Sequence, residues 1–230
     1  MRTIAAHNVL VFRGHNLAPA QQVAFARAFG ELETFQPHPS QIDEHPEIFR
    51  VSNVEGRGYL DVGLRWHTDN SNLPRPAWIS MLFSVEIPPE GGETRFMNMY
   101  DAYERMPEDL QRRIEGRTAH HQGTRYIGVG DRAGGAHHPL VRTHPLTGQK
   151  ALYVNFNLTR STSGLDEVET QRLLDDLRAY METMPYYSHK WRMGDVVAWD
   201  NACTSHMVTK TDPTYPRTLN RLTVIGPEPC

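Results

Sequence analysis

The chain has few of the features that mark a secreted, membrane or nucleic-acid-binding protein. Only Cys203 and Cys230 are cysteines, too few for a disulfide framework, which favours a reducing cytoplasm. The apolar stretch IAAHNVLVF near the N-terminus is interrupted by His7 and Asn8. We read it as a strand, and expect neither a signal peptide nor a membrane span. A formal charge of -3 without a lysine and arginine block argues against nucleic acid, so a small molecule is the expected partner.

Internal repeats and low-complexity linkers are absent too. The 230 residues are 39% hydrophobic and 22% charged, which is typical of a single globular domain, and we assign that domain to residues 1–230. The composition leaves the oligomeric state open, and a homo-oligomer is compatible with it.

Short runs rich in β-branched and aromatic residues, separated by turn residues, predict antiparallel strands. The runs are NVLVFRG, EIFRVSN, AWISMLFSVEI, ETRFMNM, RTAHHQ, HPLVRTH, KALYVNF, SHKWRM, DVVAWDN and RTLNRLTVI. This pattern favours a mainly β fold, a two-sheet jelly roll or double-stranded β-helix like that of the cupins.

Three further stretches predict helices inserted between or flanking the strands. They are APAQQVAFARAFG, which ends at Gly30, the patch AYERMPEDLQRRIEG, and LDEVETQRLLDDLRAYMETM. In the last stretch we expect one apolar face, formed by Leu165, Val168, Leu173, Leu177, Tyr180, Met181 and Met184.

A histidine and an aspartate stand two residues apart in the stretch LRWHTDNSN. On extended backbone, His67 and Asp69 would point to the same face of a strand. Imidazole and carboxylate together suit a divalent ion such as Fe(II), with coordination positions left for reactants. A metal site would need a third ligand from a distant strand. The alternative is a polar loop that follows a strand.

The blocks WHTD, GGETRF, VRTHPLTGQKALYVN, WDNACTSH and RTLNRLTVIG occur in this order over nearly the whole chain. Together they resemble the taurine dioxygenase (TauD/TfdA) family of Fe(II)- and 2-oxoglutarate-dependent oxygenases. The resemblance implies an enzyme that uses Fe(II), 2-oxoglutarate and O2 to hydroxylate a small organic substrate, with release of succinate and CO2. Because the chain begins later than members of the family usually do, we expect either a compact domain or a late start.

The resemblance implies roles for six residues. His67, Asp69 and His206 match the three iron ligands, two histidines and one carboxylate. Relatives that halogenate carry a small residue in place of the carboxylate, so Asp69 favours oxygenation. Two further residues match the pair that holds the far carboxylate of 2-oxoglutarate: Arg217, 11 positions after His206, and Thr94, 27 positions after His67.

Arg221 lies four residues past Arg217 and therefore on the same face of a strand. In the family the arginine at this position faces the substrate or the metal-bound end of 2-oxoglutarate.

The substrate side departs from the taurine enzyme. Phe35 and His38 replace the histidine and tyrosine that contact taurine, while Arg125, Tyr126 and Leu158 fall at other pocket positions. We therefore expect a substrate other than taurine. Arginines beside aromatic residues suggest a carboxylate, sulfonate or phosphate on an apolar body.

Two other classes of function stay open: a zinc-dependent hydrolase that uses the same ligands, and a jelly-roll binding protein without catalysis. The remaining conspicuous residues have structural interpretations. We expect His137 and His138 in a glycine-rich loop without a second metal, and Cys203 in a structural role. Packing or support of the ligands is expected for Trp66, Trp199 and Asp200, and core positions for Met97, Met99, Met181 and Met184.

Overall fold

A computed structural model describes residues 1–34, 41–42, 44–57, 63–123 and 134–230, with the backbone alone at 41 and 42. The helices of this part of the chain are α1 (Arg2–His7), α2 (Pro19–Arg27), α3 (Met99–Glu104), α4 (Glu108–Ile114) and α5 (Glu167–Glu182). Its strands are β1 (Val9–Phe12), β2 (Gln41–Ile42), β3 (His45–Ser52), β4 (Ala77–Glu86), β5 (Thr94–Asn98), β6 (Thr118–Gln122), β7 (Gly135–Pro139), β8 (Val141–Thr143), β9 (Lys150–Leu152), β10 (Thr159–Thr162), β11 (Tyr187–His189), β12 (Val196–Asp200), β13 (Thr204–Val208) and β14 (Thr218–Ile225).

A six-stranded antiparallel sheet, in the order β1-β12-β4-β14-β3-β2, forms one wall of the fold. Successive residues of β4 point to opposite faces. Ile79, Met81 and Phe83 pack in a core with residues of α1 and α2. Leu82 belongs to a different core on the other face. The helices thus cover one face, and the other face lines the interior.

A smaller sheet, in the order β11-β5-β13, lies against that interior face. The ring of Phe96 on β5 is 5.4 Å from the ring of Trp199 on β12, measured between centroids. Leu82, Val197 and Leu219 from the large sheet complete this core. Two facing antiparallel sheets with flanking helices confirm the predicted mainly β, jelly-roll fold.

The long helix α5 shows how far periodicity predicts burial. Leu173, Leu177 and Met181 are buried, as expected, but Val168 is 58% exposed. Nine residues separate Val168 from Leu177, and at about 100° per residue they face opposite directions. The expectation for Val168 was therefore wrong, and Leu174 occupies the buried face instead.

The stretch IAAHNVLVF, which the sequence predicted to be one strand, forms a helix followed by a strand. Helix α1 ends at His7. The next residue, Asn8, has a left-handed φ of 64°, and β1 begins at Val9. Ile4 and Ala5 are buried, so the apolar character of the stretch reflects burial of a helix as well as of a strand. No helix in the described part of the chain is long and apolar enough to cross a membrane.

Other local differences follow from pairing that a sequence does not show. His137 and His138 lie on β7, which pairs with β6, and not in a loop. The helical patch forms two helices, α3 and α4, and Pro107 is the residue that precedes the second. Strands β10 and β13 were not predicted, although β13 includes His206.

Candidate metal centre

The two candidate histidine ligands are held side by side by backbone pairing. His67 N donates to His206 O at 3.0 Å, and His206 N donates to His67 O at 2.9 Å. His206 lies on β13 opposite Phe96 of β5. Asp69 lies in the turn that follows the bridge at His67, so one extended strand does not carry both ligands, as the sequence had suggested.

The side chains of His67, Asp69 and His206 converge. Each offers one ligand atom, and these atoms lie within 4.8 Å of one another. His206 Nε2 is 3.8 Å from Asp69 Oδ2, too long for a hydrogen bond but within reach of one ion at metal–ligand distances of about 2.1 Å each. His67 Nδ1 donates to the carbonyl oxygen of Arg65 at 2.8 Å. With a proton on Nδ1, Nε2 is the ring nitrogen of His67 that can offer a lone pair to a metal.

The electrostatics of the cluster suit a cation. Burial would raise the pKa of Asp69, but Arg221, His206 and His67, together with a hydrogen bond from Ser80, outweigh burial and hold that pKa well below its usual range. Burial and the neighbouring His67 lower the pKa of His206 to about 3. The cluster thus presents an ionised carboxylate and a neutral His206, the protonation states in which both bind metals.

Arg221 of β14 lies directly beside the cluster. Its Nη1 donates to Asp69 Oδ1 at 3.0 Å, and its guanidinium carbon is 4.7 Å above the ring of Phe49. Ser80 Oγ donates to the other oxygen, Asp69 Oδ2, at 2.6 Å. The carboxylate is thus held from both sides.

A cavity of about 70 Å³ opens next to the cluster. The residues that line it include the three candidate ligands and both residues of the predicted carboxylate clamp: Val51, Gly63, His67, Asp69, Leu82, Thr94, Trp199, His206, Val208, Arg217, Leu219 and Arg221. The structure therefore brings together the six residues to which the resemblance gave roles, and Trp199 with them.

Arg217 is the buried cation of this cavity. Its Nε donates to the carbonyl of Gly92 at 2.8 Å, and its Nη2 lies 3.5 Å from Thr94 Oγ1. The side chain is almost fully buried, and burial lowers its pKa to about 10. Among the described residues no carboxylate lies within 4 Å of it. A buried guanidinium without a carboxylate partner favours an anionic ligand.

Comparison with known proteins shows to which family this chain belongs. A profile of the family described as "Taurine catabolism dioxygenase TauD, TfdA family" matches residues 1–223. The chain belongs to this family. Membership confirms the resemblance stated from the sequence and the predicted class of enzyme, an oxidoreductase of the dioxygenase type.

Individual relatives are similar to this chain over most of their own length. The alpha-ketoglutarate-dependent 2,4-dichlorophenoxyacetate dioxygenase of Cupriavidus pinatubonensis is 34% identical over 251 residues, which cover 97% of this chain and 86% of that protein. A taurine dioxygenase from Burkholderia xenovorans has a crystal structure that matches with a TM-score of 0.85 and 33% identity, over 99% of this chain and 79% of that one. The crystal structure of AAD-2 in complex with Mn(II) and N-oxalylglycine matches with a TM-score of 0.82 and 30% identity, over 99% and 86% of the two chains.

The predicted substrate residues are only partly described in this member of the TauD, TfdA family. Phe35, His38, Arg125 and Tyr126 lie outside the described residues. Leu158 is half-buried, and its carbonyl accepts from the backbone of Gln122; it is not among the residues that line the 70 Å³ cavity. The roles of these five residues stay predictions.

A second cluster, His144, Asp200 and Cys203, also has three ligand atoms within 4.8 Å. His144 Nε2 donates to Asp200 Oδ2 at 3.0 Å, while its Nδ1 accepts from the backbone N–H groups of Leu146 and Thr147. Burial raises the pKa of the Cys203 thiol. Both nitrogens of His144 are therefore occupied, in keeping with the structural role expected for Cys203.

Sequence reasoning missed three residues that shape the centre: Ser80, Gly92 and Asn201. Ser80 contacts Asp69, Gly92 accepts from Arg217, and Asn201 bonds both Ser80 and the backbone of Asp69. Asn201 and Gly92 lie within the WDNACTSH and GGETRF blocks, and their place in these blocks could have pointed to them. The sequence carries no such signal for Ser80, because this residue lies within an apolar strand pattern.

Proposed function

We propose that this protein is an Fe(II)- and 2-oxoglutarate-dependent dioxygenase that hydroxylates a small anionic organic molecule and releases succinate and CO2. One observation carries the proposal. A single cavity is lined by a group of two histidines and one aspartate and by a buried arginine paired with a threonine. A zinc-dependent hydrolase would need the metal ligands but not the arginine and threonine. A binding protein without catalysis would not need the two groups together.

The residues present fit a resident iron. His67, Asp69 and His206 supply two nitrogens and one oxygen, the donor set of mononuclear non-haem iron sites. Their ligand atoms converge, and His67 keeps a lone pair free because its Nδ1 donates to Arg65. His206 Nδ1 is buried without a hydrogen-bond partner among the described residues, so no described group of the protein competes for this nitrogen. In this proposal the three side chains hold the ion.

The other side of the cavity fits 2-oxoglutarate. Arg217 and Thr94 would bind the carboxylate far from the metal, since a planar guanidinium pairs well with a carboxylate. AAD-2 was crystallised with Mn(II) and N-oxalylglycine, in which an NH replaces one CH2 of 2-oxoglutarate. When bound, iron and O2 supply the oxidising power that decarboxylates 2-oxoglutarate and oxidises a C–H bond of the substrate.

The protein's own groups position the reactants. Trp199 and Leu82 line the cavity with apolar surface, which limits water near the ligands. Arg221 neutralises part of the charge on Asp69 and lies at the same cavity. Because Arg221 is already paired with Asp69, an anionic substrate would share this arginine. The second cation predicted from the sequence, Arg125, lies outside the described residues.

A small anion is the substrate class we propose. The relative from Cupriavidus pinatubonensis is named for 2,4-dichlorophenoxyacetate, a carboxylate on an aromatic body. Taurine is not expected, because Phe35 and His38 stand where the family has the residues that contact it. The cytoplasmic location, the single domain and a homo-oligomer stay predictions.

The function is tested on metal-free protein under anaerobic conditions. Adding Fe(II) and then 2-oxoglutarate should produce a weak visible absorption band from the chelate, which Zn(II) cannot produce. Admitting O2 with a panel of neutral, cationic and anionic compounds, taurine included, should couple succinate release to an anionic compound. Absence of the band and of succinate would contradict the enzyme class. Coupling to a neutral or cationic compound would contradict only the substrate class.

A further inference from the structure

The side chain of Asn201 lies where the ligand-bearing segments meet. It follows β12 and is buried. Its Oδ1 is 3.1 Å from the backbone N of Asp69 and 3.2 Å from Trp199 Nε1. Its Nδ2 is 2.9 Å from Ser80 Oγ and 3.3 Å from the carbonyl oxygen of Trp78. One amide thus touches β4, β12 and the turn that carries Asp69.

The partners fix the direction of every hydrogen bond. Asp69 N and Trp199 Nε1 can only donate, and the carbonyl of Trp78 can only accept, so the orientation of the Asn201 amide is determined. Nδ2 therefore donates to Ser80 Oγ. The hydroxyl proton of Ser80 is then directed at Asp69 Oδ2, 2.6 Å away. The result is a one-way relay from amide to hydroxyl to carboxylate.

We propose that Asn201, acting through Ser80, is a positioning residue that fixes the carboxylate of Asp69 for metal binding. This rests on the proposed function, since it concerns the same metal. Arg221 from β14 holds Oδ1, so donors from two different strands define the plane of the carboxylate. A ligand held in this way needs little reordering when the ion binds.

Asn201 also supports the neighbouring ligand. Trp199, whose indole N–H it accepts, packs against His206 with ring centroids 4.6 Å apart. The side-chain oxygen of Asn201 also accepts from Thr68 Oγ1 at 3.3 Å, and Thr68 is the residue between His67 and Asp69. Loss of the amide should therefore affect metal affinity more than loss of the Ser80 hydroxyl alone.

The test measures Mn(II) and Co(II) affinity of purified, metal-free full-length protein. Ser80→Ala and Asn201→Ala should weaken binding by about tenfold or more, the range expected when the outer partner of a ligand is removed. Ser84→Ala is the matched control for the serine: Ser84 lies on the same strand, and its buried hydroxyl has no hydrogen-bond partner among the described residues.

Asn155→Ala is the matched control for the asparagine. Asn155 is equally buried, and its Nδ2 donates to the carbonyl of Thr68 and to Ser71 Oγ, both at 3.0 Å. It supports the same segment without contacting Ser80 or the Asp69 carboxylate in these bonds. This variant should lower thermal stability but keep metal affinity within about threefold of wild type.

Two further readouts separate positioning from general stability. The Ser80→Ala/Asn201→Ala double variant should weaken Co(II) binding by less than the product of the two single effects, because both changes interrupt the same relay. The visible bands of bound Co(II) should shift in both relay variants and stay unchanged in the two controls.

Several results would overturn the proposal. One is wild-type affinity in Ser80→Ala, which also decides the matter if Asn201→Ala does not fold. Equal weakening by Asn155→Ala and Asn201→Ala is another, since it would make the asparagine merely structural. If the wild-type protein itself binds no divalent metal, the proposed function fails and this inference with it. That outcome is distinct from wild-type binding with unaffected variants.

Discussion

Two clusters in this protein have nearly the same composition and very different chemistry. His67, Asp69 and His206 line a cavity, whereas His144, Asp200 and Cys203 are fully buried. Each cluster brings three ligand atoms within 4.8 Å. Residue type and distance alone would therefore assign a metal to both.

The difference is in the lone pairs. In the second cluster His144 uses one nitrogen to accept two backbone N–H groups and the other to donate to Asp200, and Asp200 Oδ1 accepts from Ala202 N at 2.9 Å. In the first cluster His67 donates through Nδ1 and keeps Nε2. A metal must find ligand lone pairs that the protein has not already used.

The largest expected effect is the loss of metal from His206→Ala. We expect this variant to fold but to bind no Mn(II) or Fe(II) tightly and to release no substrate-coupled succinate, because one of three ligands is gone. Metal titration and thermal unfolding of the metal-free protein check the two statements. Unchanged metal affinity would remove His206 from the centre.

The reciprocal variant, His144→Ala, serves as its control. Asp200 would keep a buried carboxylate oxygen without its imidazole partner, which should lower the free energy of unfolding by about 3 kcal/mol. Metal affinity, measured at a temperature where the variant is folded, should stay near that of wild type. A loss of metal without a loss of stability would reverse the assignment of the two clusters.

The next effect concerns the co-substrate. Arg217→Gln should raise the KM for 2-oxoglutarate at least about tenfold, since a charge-assisted hydrogen bond contributes roughly 1.5–3 kcal/mol. Arg160→Gln, an exposed arginine on β10, should leave that KM unchanged. Equal KM values for wild type and Arg217→Gln would show that another cation holds the carboxylate.

A smaller effect on the same clamp is expected from Gly92→Ala. Gly92 has a φ of 68°, and a Cβ there would lie 2.7 Å from Arg217 Cδ and 2.8 Å from Thr211 Oγ1. Displacing the guanidinium rather than removing it should raise the KM for 2-oxoglutarate by about fivefold. Gly148 has nearly the same φ, 72°, with nothing within 4 Å of a built Cβ.

Gly148→Ala therefore carries the same backbone strain of about 1 kcal/mol without the contact. Both glycine variants should lose thermal stability, Gly92→Ala the more because its Cβ also displaces Arg217 and Thr211, and only Gly92→Ala should change the KM. If both variants raised the KM alike, strain in general, and not contact with Arg217, would be the cause.

The six residues of the candidate centre could be nominated from the sequence because they lie in blocks that resemble the family and stand at the family's intervals. His67 and Asp69 are two apart, Arg217 follows His206 by 11, and each lies in a recognisable block. Ser80 could not be predicted, because its role depends on the register that places it opposite Trp199 across β4 and β12. That register is a property of the folded sheet and not of either strand.

The elements of the fold likewise include some that the sequence predicted and some that it did not. Runs rich in β-branched and aromatic residues, bounded by turn residues, predicted β4, β12 and β14. The stretch before β1 misled, because an apolar run near a chain end suits a buried helix as well as a strand and only the left-handed Asn8 separates the two. Residue composition thus identified these three inner strands of the large sheet, whereas the boundary between α1 and β1 depends on one backbone angle.

The smallest effect is expected from Cys203→Ala, which tests whether the second cluster is only structural. Cys203 is fully buried, and its sulfur lies 3.8 Å from the carbonyl oxygen of Asp200. Truncation should lower the free energy of unfolding by about 1 kcal/mol through lost packing. Wild type and variant should both bind one Mn(II) per chain with the same affinity. Since burial raises the pKa of this thiol, iodoacetamide should label only the exposed Cys230 in the native wild type, which mass spectrometry would show. A second metal equivalent that disappears in Cys203→Ala, or rapid native labelling of Cys203, would mean that this cluster also keeps lone pairs free, and that hydrogen-bond saturation does not separate the two clusters.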